Sequence, residues 1–480
     1  MSEINWRQVL GPILSLADEP GKTNGISADD VIELEKALRQ YSSRAVRMHP
    51  SINSSDLPFA TEAIPWYDRG RWLIDNNCRP GAFLNYAAGD YYIQDAGSML
   101  ALALCDVKPG QWVCDTCAAP GGKSSGLLEQ LGGIGLVVSN EVIRSRLDIL
   151  ELSLARTGHS NYVVVNSEVE ALADMCSASF DCVIVDAPCT GQSMVARGKQ
   201  SLAAFSVKQI EHSAARQQRI LRAAAKLVKP GGRLVYSTCT FAFAENEAMI
   251  DSFRCDHPEW SPVTDPKLAE WACDDHEGCY RLWPHRDRCA GAFAAALKRS
   301  EASESTEIAM HPVNNSSPRT RYQGNSQSAQ FSSIELPAQE IPWLQSASGQ
   351  PIRLWQLGSE LHYFTSCIPV DWLDSPAKVA KVSGVPIAEF RGGQWQPSYA
   401  SSVVRIDEFT PTSKFQISNA QAADYLAGAA IRLTAPFAQP ALAWSVLTWH
   451  GRPLAWSKFT GGVLKNHLPK TLRKPKLSVT

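Results

Sequence analysis

Trp112-Val113-Cys114-Asp115-Thr116-Cys117-Ala118-Ala119-Pro120-Gly121-Gly122-Lys123 is the stretch whose reading decides the fold. Trp112–Asp115 reads as a short buried strand. The small residues after it read as a turn that opens a helix over Lys123–Leu131. The alternation then repeats. Gly135–Ser139, Tyr162–Val165, Cys182–Asp186 and Arg233–Ser237 are short apolar runs, largely β-branched, and Arg146–Arg156 and Val207–Val228 are helix-like. Strands alternating with helices predict an α/β fold, a parallel sheet covered on both faces. Cys279–Trp283 and Gly291–Leu297 are late strand candidates that suit an antiparallel hairpin at the sheet edge.

Outside this block the pattern changes. Residues 27–41 predict a helix, with Ser27 and Asp30 as a Ser-x-x-Asp cap and Val31, Leu34 and Leu38 on one face. Residues 44–98 mix short apolar runs with Pro and Gly. Residues 299–340 are rich in Ser, Asn, Gln and Glu and read as a flexible linker. Order resumes at Ile341, and Phe409-Thr410-Pro411-Thr412 divides the rest into modules over 341–410 and 411–480.

The chain has 480 residues, too many for one ordinary core, and 44% hydrophobic residues with 20% charged ones argue against wholesale disorder. The net charge of -2 is uninformative about nucleic acid, but the distribution is not. After Asp424 no acidic residue follows, while Arg432, Arg452, Lys458, Lys465, Lys470, Arg473, Lys474 and Lys476 are all basic. Such an end is either a phosphate-contacting surface or a solvated tail. The polar start and the lack of a long apolar run predict a cytoplasmic chain without a membrane partner. Its 13 cysteines are then reduced thiols, most of them small buried hydrophobes.

The turn after the first strand is a ligand crevice of an open α/β sheet. It lacks the first Gly of a P-loop, because Cys117 stands there, and it lacks G-x-G-x-x-G. Few features favour phosphate, which suits S-adenosylmethionine as the cofactor. Cys117, Ala118, Ala119, Pro120, Gly121, Gly122 and Lys123 would then line its site. Glu141, at the end of the second strand, is placed to accept hydrogen bonds from ribose hydroxyls or to sit as a carboxylate at a helix start. Glu168 either meets the adenine or is a solvated loop residue.

Two thiols stand at strand ends, Cys189 in Asp186-Ala187-Pro188-Cys189 and Cys239 in Ser237-Thr238-Cys239-Thr240. With Asp186 they converge beside the cofactor turn. Metal is the other reading of paired thiols. Cys114-x-x-Cys117 has no second C-x-x-C to complete a site, so no metal is expected.

These residues together resemble the NOL/SUN-type RNA cytosine-5 methyltransferases over roughly residues 40–297. Tyr92-Ile93-Gln94-Asp95-Ala96-Gly97-Ser98-Met99, the Asp115–Lys123 turn, the two cysteine motifs, Glu245-Asn246-Glu247 and Arg281-Leu282-Trp283-Pro284-His285 carry the resemblance. It implies a Rossmann-like class I methyltransferase domain over 99–298 and an RNA-binding type of subdomain over 1–98. Gly451–Lys458 and Lys465–Lys470 resemble the PUA-like module of RsmF-type enzymes, which modify bacterial small-subunit ribosomal RNA. The implied partner is RNA, as ribosomal RNA or the small ribosomal subunit, met by a monomer. The sequence departs from the family at Arg47-Met48-His49, where Arg-x-Asn is usual, and at Glu168, where Asp is common.

The implied chemistry explains the residue types. C5 of cytosine is too weak a nucleophile until a thiolate adds at C6 and turns the ring into an enamine. The resemblance gives the attack to Cys239 and assistance in release to Cys189. A DNA-type enzyme would reverse these roles. Asp186 would stabilise charge at N3 and the exocyclic amine. A transfer-RNA or DNA cytosine methyltransferase is the alternative within enzymes. A ribosome-assembly protein without turnover is the alternative outside them, although binding alone needs neither thiol.

Overall fold

The structure is a computed structural model that describes residues 9–10, 28–39, 43–301, 332–336, 340–349, 352–368, 381–433, 443–474 and 477. Helix α1 spans Ala28–Arg39, within the stretch expected from the cap pattern; Ser27 itself lies outside the described residues. Strands β1 (Ala45–Met48), β2 (Thr61–Ala63), β3 (Gly70–Leu73) and β4 (Tyr91–Ile93) form a four-stranded antiparallel sheet in the order 2-3-1-4. Residues 44–98 thus form a small sheet of their own.

The apolar runs downstream form β5 (Trp112–Asp115), β6 (Leu136–Asn140), β7 (Tyr162–Asn166), β8 (Phe180–Asp186) and β9 (Val228–Thr238), all parallel where they pair. β6 and β7 are buried along their whole length, as expected of strands covered on both faces. β10 (Trp260–Pro262), β11 (Cys279–Leu282) and β12 (Ala292–Arg299) complete one side, with β12 antiparallel to β9. The late hairpin of β11 and β12 is present, but β10, unread in the sequence, shares that edge.

The order β12-β9-β8-β5-β6-β7 reverses direction at β5. The chain runs outward through β6 and β7, then returns to place β8 on the other side of β5. Loops after β5 and β8 therefore part from each other and leave a crevice at the strands' carboxyl ends.

Helices α2 (Leu100–Cys105), α3 (Gly122–Leu131), α4 (Leu147–Ala155), α5 (Val169–Met175), α6 (Val207–Leu227) and α7 (Glu247–Asp256) cover the sheet. On α6, Ile210, Ser213, Gln217, Ile220, Leu221 and Ala224 are buried at the i, i+3, i+4 spacing. Gln217 is a fully buried amide on that face, and it serves the site described below.

Arg47 of β1, the residue that opens the unusual Arg-Met-His, is 0% exposed. Its guanidinium pairs with Glu129 of α3 at 2.7 and 3.0 Å and donates to Gly122 O at 2.6 Å and Ser125 Oγ at 2.8 Å. Gln94 Oε1 is a further acceptor. It clamps the N-terminal sheet to the first turn of α3. His49 bonds Ser51 Oγ at 2.7 Å and Thr157 O at 3.2 Å.

The linker expectation over 299–340 needs correction at both ends. β12 continues to Arg299, and Ser332–Leu336 is a strand paired with Ile352–Leu357. Cross-strand pairing satisfies a backbone that composition alone reads as loop. Residues 302–331 lie outside the described residues. Strands at Glu360–Tyr363, Val385–Arg391 and Gln394–Pro397 extend that sheet. Lys381–Ser383 instead pairs with β7 and joins the central sheet. Phe409–Pro411 is one strand, paired with Leu344–Ser346, so the expected boundary at 410/411 falls inside a paired element. The last sheet runs in the order Lys414–Gln416, Trp444–Trp449, Arg452–Thr460, Val463–Asn466, Ile431–Arg432, with helix α8 at Asn419–Leu426. Among the described residues no helix is long and apolar enough to cross a membrane.

Candidate active site

At the carboxyl ends of β5, β6, β8 and β9 lies a cleft of ≈ 750 Å³. Behind its lining lies Asp115, which is fully buried and accepts from Ser124 Oγ at 2.6 Å and from Cys117 N at 3.3 Å. Burial pushes the Asp115 carboxyl up to about 6, against the Ser124 bond. Thr116, Cys117, Ala118, Ala119, Pro120, Gly122 and Lys123 line the cleft. Gly121 does not. It sits at φ 104, where glycine is favoured, and an added Cβ would lie 2.6 Å from Ser153 Cβ of α4. Gly121 thus serves the turn and the packing of α4, and faces away from the cleft. Burial pushes the Cys117 thiol up to about 12, so it stays protonated.

Glu141 is buried at the end of β6 and faces the cleft. Its carboxylate accepts from Ile143 N at 2.8 Å and Ala119 N at 3.3 Å and lies 3.2 Å from Arg146. Beside it Val142 and Ile143, each 49% exposed, line the same wall with Val169 and Ile220. Glu168 reaches only the rim. Its side chain is 63% exposed and lies 3.8 Å from Arg219. It therefore borders the cleft as a solvated side chain.

The other half of the cleft holds the thiols. Parallel pairing of β8 and β9 sets Asp186 beside Ser237, and the next residues of each strand carry the cysteines. Cys189 Sγ and Cys239 Sγ lie 3.4 Å apart, both as free thiols. Asp186 Oδ2 pairs with Lys123 Nζ at 2.6 Å, and Oδ1 accepts from Ser237 Oγ at 3.0 Å. The S–H bond from Cys189 holds Cys239 below the ordinary thiol range, against burial and Asp186, with help from the Lys123 ammonium. Cys189 is pushed well up, first by that same bond and then by burial. Burial lowers Lys123, but the Asp186 carboxylate outweighs it and Lys123 stays charged.

Residues to which the sequence reading gave no role complete the site. Asp95 accepts from Gly97 N at 3.0 Å and Ala290 N at 3.2 Å and pairs with Arg197 at the cleft wall. Ser98 Oγ lies 3.4 Å from Lys123 Nζ. Ser193 N donates to Cys239 O at 3.1 Å. The Glu245-Asn246-Glu247 run is wholly buried. Asn246 accepts from Thr238 Oγ1 at 2.6 Å and donates to Thr240 O at 3.0 Å, and Glu247 pairs with Arg281 at 2.6 Å. A polar triplet between two apolar runs was the available signal. Among the described residues no group of three or more His, Cys, Asp or Glu side chains is arranged to hold a metal ion.

The cleft fits S-adenosylmethionine. A carboxylate at the end of the second parallel strand suits a ribose diol, and the adjoining half-exposed Val142 and Ile143 suit a flat, largely apolar adenine. The fold and the cleft define a class I S-adenosylmethionine-dependent methyltransferase.

Comparison with known proteins narrows this class. Residues 101–298 match the family described as 16S rRNA methyltransferase RsmB/F, and residues 412–474 match the methyltransferase RsmF PUA domain. Residues 101–298 are thus an RsmB/F-type methyltransferase domain and residues 412–474 an RsmF-type PUA domain, in keeping with the resemblance to the NOL/SUN-type enzymes. The ribosomal RNA small subunit methyltransferase F of Escherichia coli O81 (strain ED1a) is 28% identical over 422 residues, 85% of this chain and 84% of the relative. Its counterpart from Shigella boydii serotype 4 (strain Sb227) is 27% identical over the same shares. Among solved structures, a methyltransferase homologue protein from Pyrococcus horikoshii matches with a TM-score of 0.52 and 26% identity, over 61% of this chain and 99% of that one. NSun6 from Pyrococcus horikoshii with SFG matches with a TM-score of 0.51 and 17% identity over 62% and 98%, a likeness of fold.

Proposed function

We propose that this protein methylates C5 of a cytosine in small-subunit ribosomal RNA through a covalent bond between Cys239 Sγ and C6 of the base. The observation that carries this reading is the 3.4 Å contact of two free thiols beside the Lys123–Asp186 pair, in the cleft at the carboxyl ends of β8 and β9. Packing of two thiols needs no ion pair beside them in an open cleft. The names of the relatives support ribosomal RNA as the substrate.

The residues divide the work as follows. Cys239, held toward the thiolate, adds to C6. Asp186, fixed by Lys123 and Ser237, accepts from the exocyclic amine, and the Lys123 ammonium beside it offsets the negative charge that develops on the ring as sulfur adds. Bound S-adenosylmethionine supplies an electrophilic methyl group to the activated C5. A water in the cleft takes the C5 proton, the C–H electron pair forms the C5=C6 bond, and the Cys239–C6 bond breaks with its electron pair returning to sulfur. The Cys189 S–H stabilises that departing thiolate through the same hydrogen bond. The test is to incubate the protein with S-adenosylmethionine and undermodified ribosomal RNA, transfer RNA or DNA, and to identify the product nucleoside. 5-Methylcytidine confined to ribosomal RNA is expected; its absence there, or its appearance in DNA, removes the reading.

Two further outcomes are expected. Glu141→Ala should weaken S-adenosylmethionine binding by about 1.5–3 kcal/mol, the worth of hydrogen bonds to a charged group. Calorimetry returning the wild-type affinity would take Glu141 out of the cofactor site. The second concerns the basic C-terminal sheet. Arg473 donates to Leu468 O at 3.2 Å and Lys474 lies 5.5 Å over Tyr86, so both also have structural duties. Arg432, Lys465 and Lys470 are exposed and are the better phosphate contacts. Replacing these three with Gln should flatten the salt dependence of RNA binding by about 0.7–0.9 in log–log slope per lost contact. An unchanged slope would make this end a solvated surface.

A further inference from the structure

The geometry points to Glu245 as the positioning residue that keeps the two thiols in contact. This rests on the proposed thiol chemistry and adds to it a residue without contact to the base. Each cysteine is followed by a threonine, Thr190 after Cys189 and Thr240 after Cys239. The two hydroxyls meet at 2.8 Å. Glu245 Oε1 accepts from Thr190 Oγ1 at 2.6 Å and from Thr240 Oγ1 at 3.4 Å. Glu245 Oε2 accepts from Thr190 N at 3.0 Å and from the buried Gln217 amide at 2.7 Å. The backbone of Glu245 is itself held, because Tyr236 Oη donates to its carbonyl at 2.7 Å.

One carboxylate therefore grips the residue after each cysteine. The two loops come from different strands; Ser193 N donates to Cys239 O at 3.1 Å and Phe241 N to Gln192 Oε1 at 2.9 Å between them, but the staple is what holds the residues directly following both cysteines. Glu245 is 0% exposed, so these donors replace the water it gives up on folding. A carboxylate suits the task because it takes donors on both oxygens at once. If the staple opens, the sulfurs separate and Cys239 loses the S–H bond that favours its thiolate. The charged groups facing Cys239 are otherwise Asp186 from β8 and Lys123 from α3, and neither contacts Glu245.

The test is site-resolved iodoacetamide labelling of Cys239 in the full-length protein across pH, without RNA, read by mass spectrometry. Glu245→Ala and Thr190→Val should move the labelling midpoint upward by about 1 pH unit or more, the size of a lost hydrogen bond to an anion. Thr190→Ser keeps the hydroxyl and should restore the wild-type profile. Glu245→Gln should do so too, with its oxygen toward Thr190 N and its amide donating to the hydroxyls. With ribosomal RNA and S-adenosylmethionine, Glu245→Ala and Thr190→Val should also accumulate covalent protein–RNA complex, because Cys189 no longer assists release. Thr190→Val preserves side-chain volume and carries the test if Glu245→Ala does not fold. A folded Thr190→Val protein with the wild-type midpoint overturns the staple and leaves the proposed function standing. A shifted midpoint in a protein that makes no 5-methylcytidine keeps the staple and removes the proposed function.

Discussion

Cys239→Ala should abolish turnover, by about 10⁴-fold or more as for other lost nucleophiles, and should form no covalent complex with RNA. Cys239→Ser should behave the same way, because a hydroxyl ionises far less than a thiol near neutral pH. Cys189→Ala should act in the opposite sense. Its Cys239 still attacks and one methyl group is transferred, but the adduct loses the S–H that lies 3.4 Å away and stabilises the departing sulfur. Enzyme joined to RNA should then appear as a slow-migrating band on a denaturing gel. The trapped band with Cys239→Ala and none with Cys189→Ala would exchange the roles and move the enzyme to the DNA-type mechanism. Full activity in both variants would remove covalent catalysis altogether.

Arg47→Ala should cost about 3–5 kcal/mol of stability, the usual result of removing one partner of a buried ion pair. The guanidinium is fully buried, and its loss strands the Glu129 carboxylate, Gln94 and the Gly122 carbonyl at the first turn of α3. Arg47→Lys should recover only part of this, because an ammonium cannot reproduce the two-point pairing with Glu129. Arg47→Met combined with Glu129→Met should be milder than either single change, since no charge is left unpaired. Denaturant midpoints measure all three. A loss below about 1 kcal/mol for Arg47→Ala, the range of a surface pair, would show that the clamp is not needed. The turn between Asp115 and Lys123 rests on this clamp, so S-adenosylmethionine affinity should fall together with stability.

The sequence by itself determined the parallel sheet, the cofactor turn and the location of the two thiols. These are local matters. An apolar, β-branched run of about five residues bounded by turn residues reads as a buried strand, and the loop after a parallel strand lies at the ligand-binding end of the sheet. Tertiary structure alone decided everything that joins distant segments. Gly121 belongs to the turn by sequence, yet the position of its missing Cβ is filled by Ser153 of α4, so it serves packing and does not line the cleft. The linker expectation was wrong at Ser332–Leu336, because a strand with a weak local pattern is stabilised by its partner at Ile352–Leu357. Lys381–Ser383 joins β7 across more than two hundred residues for the same reason. The unequal thiols are the sharpest case. Two cysteines fifty residues apart have the same intrinsic acidity. Strand register sets the two sulfurs in contact, and that contact with the Lys123 ammonium lowers Cys239 while Cys189 is pushed up; only the fold brings those groups together.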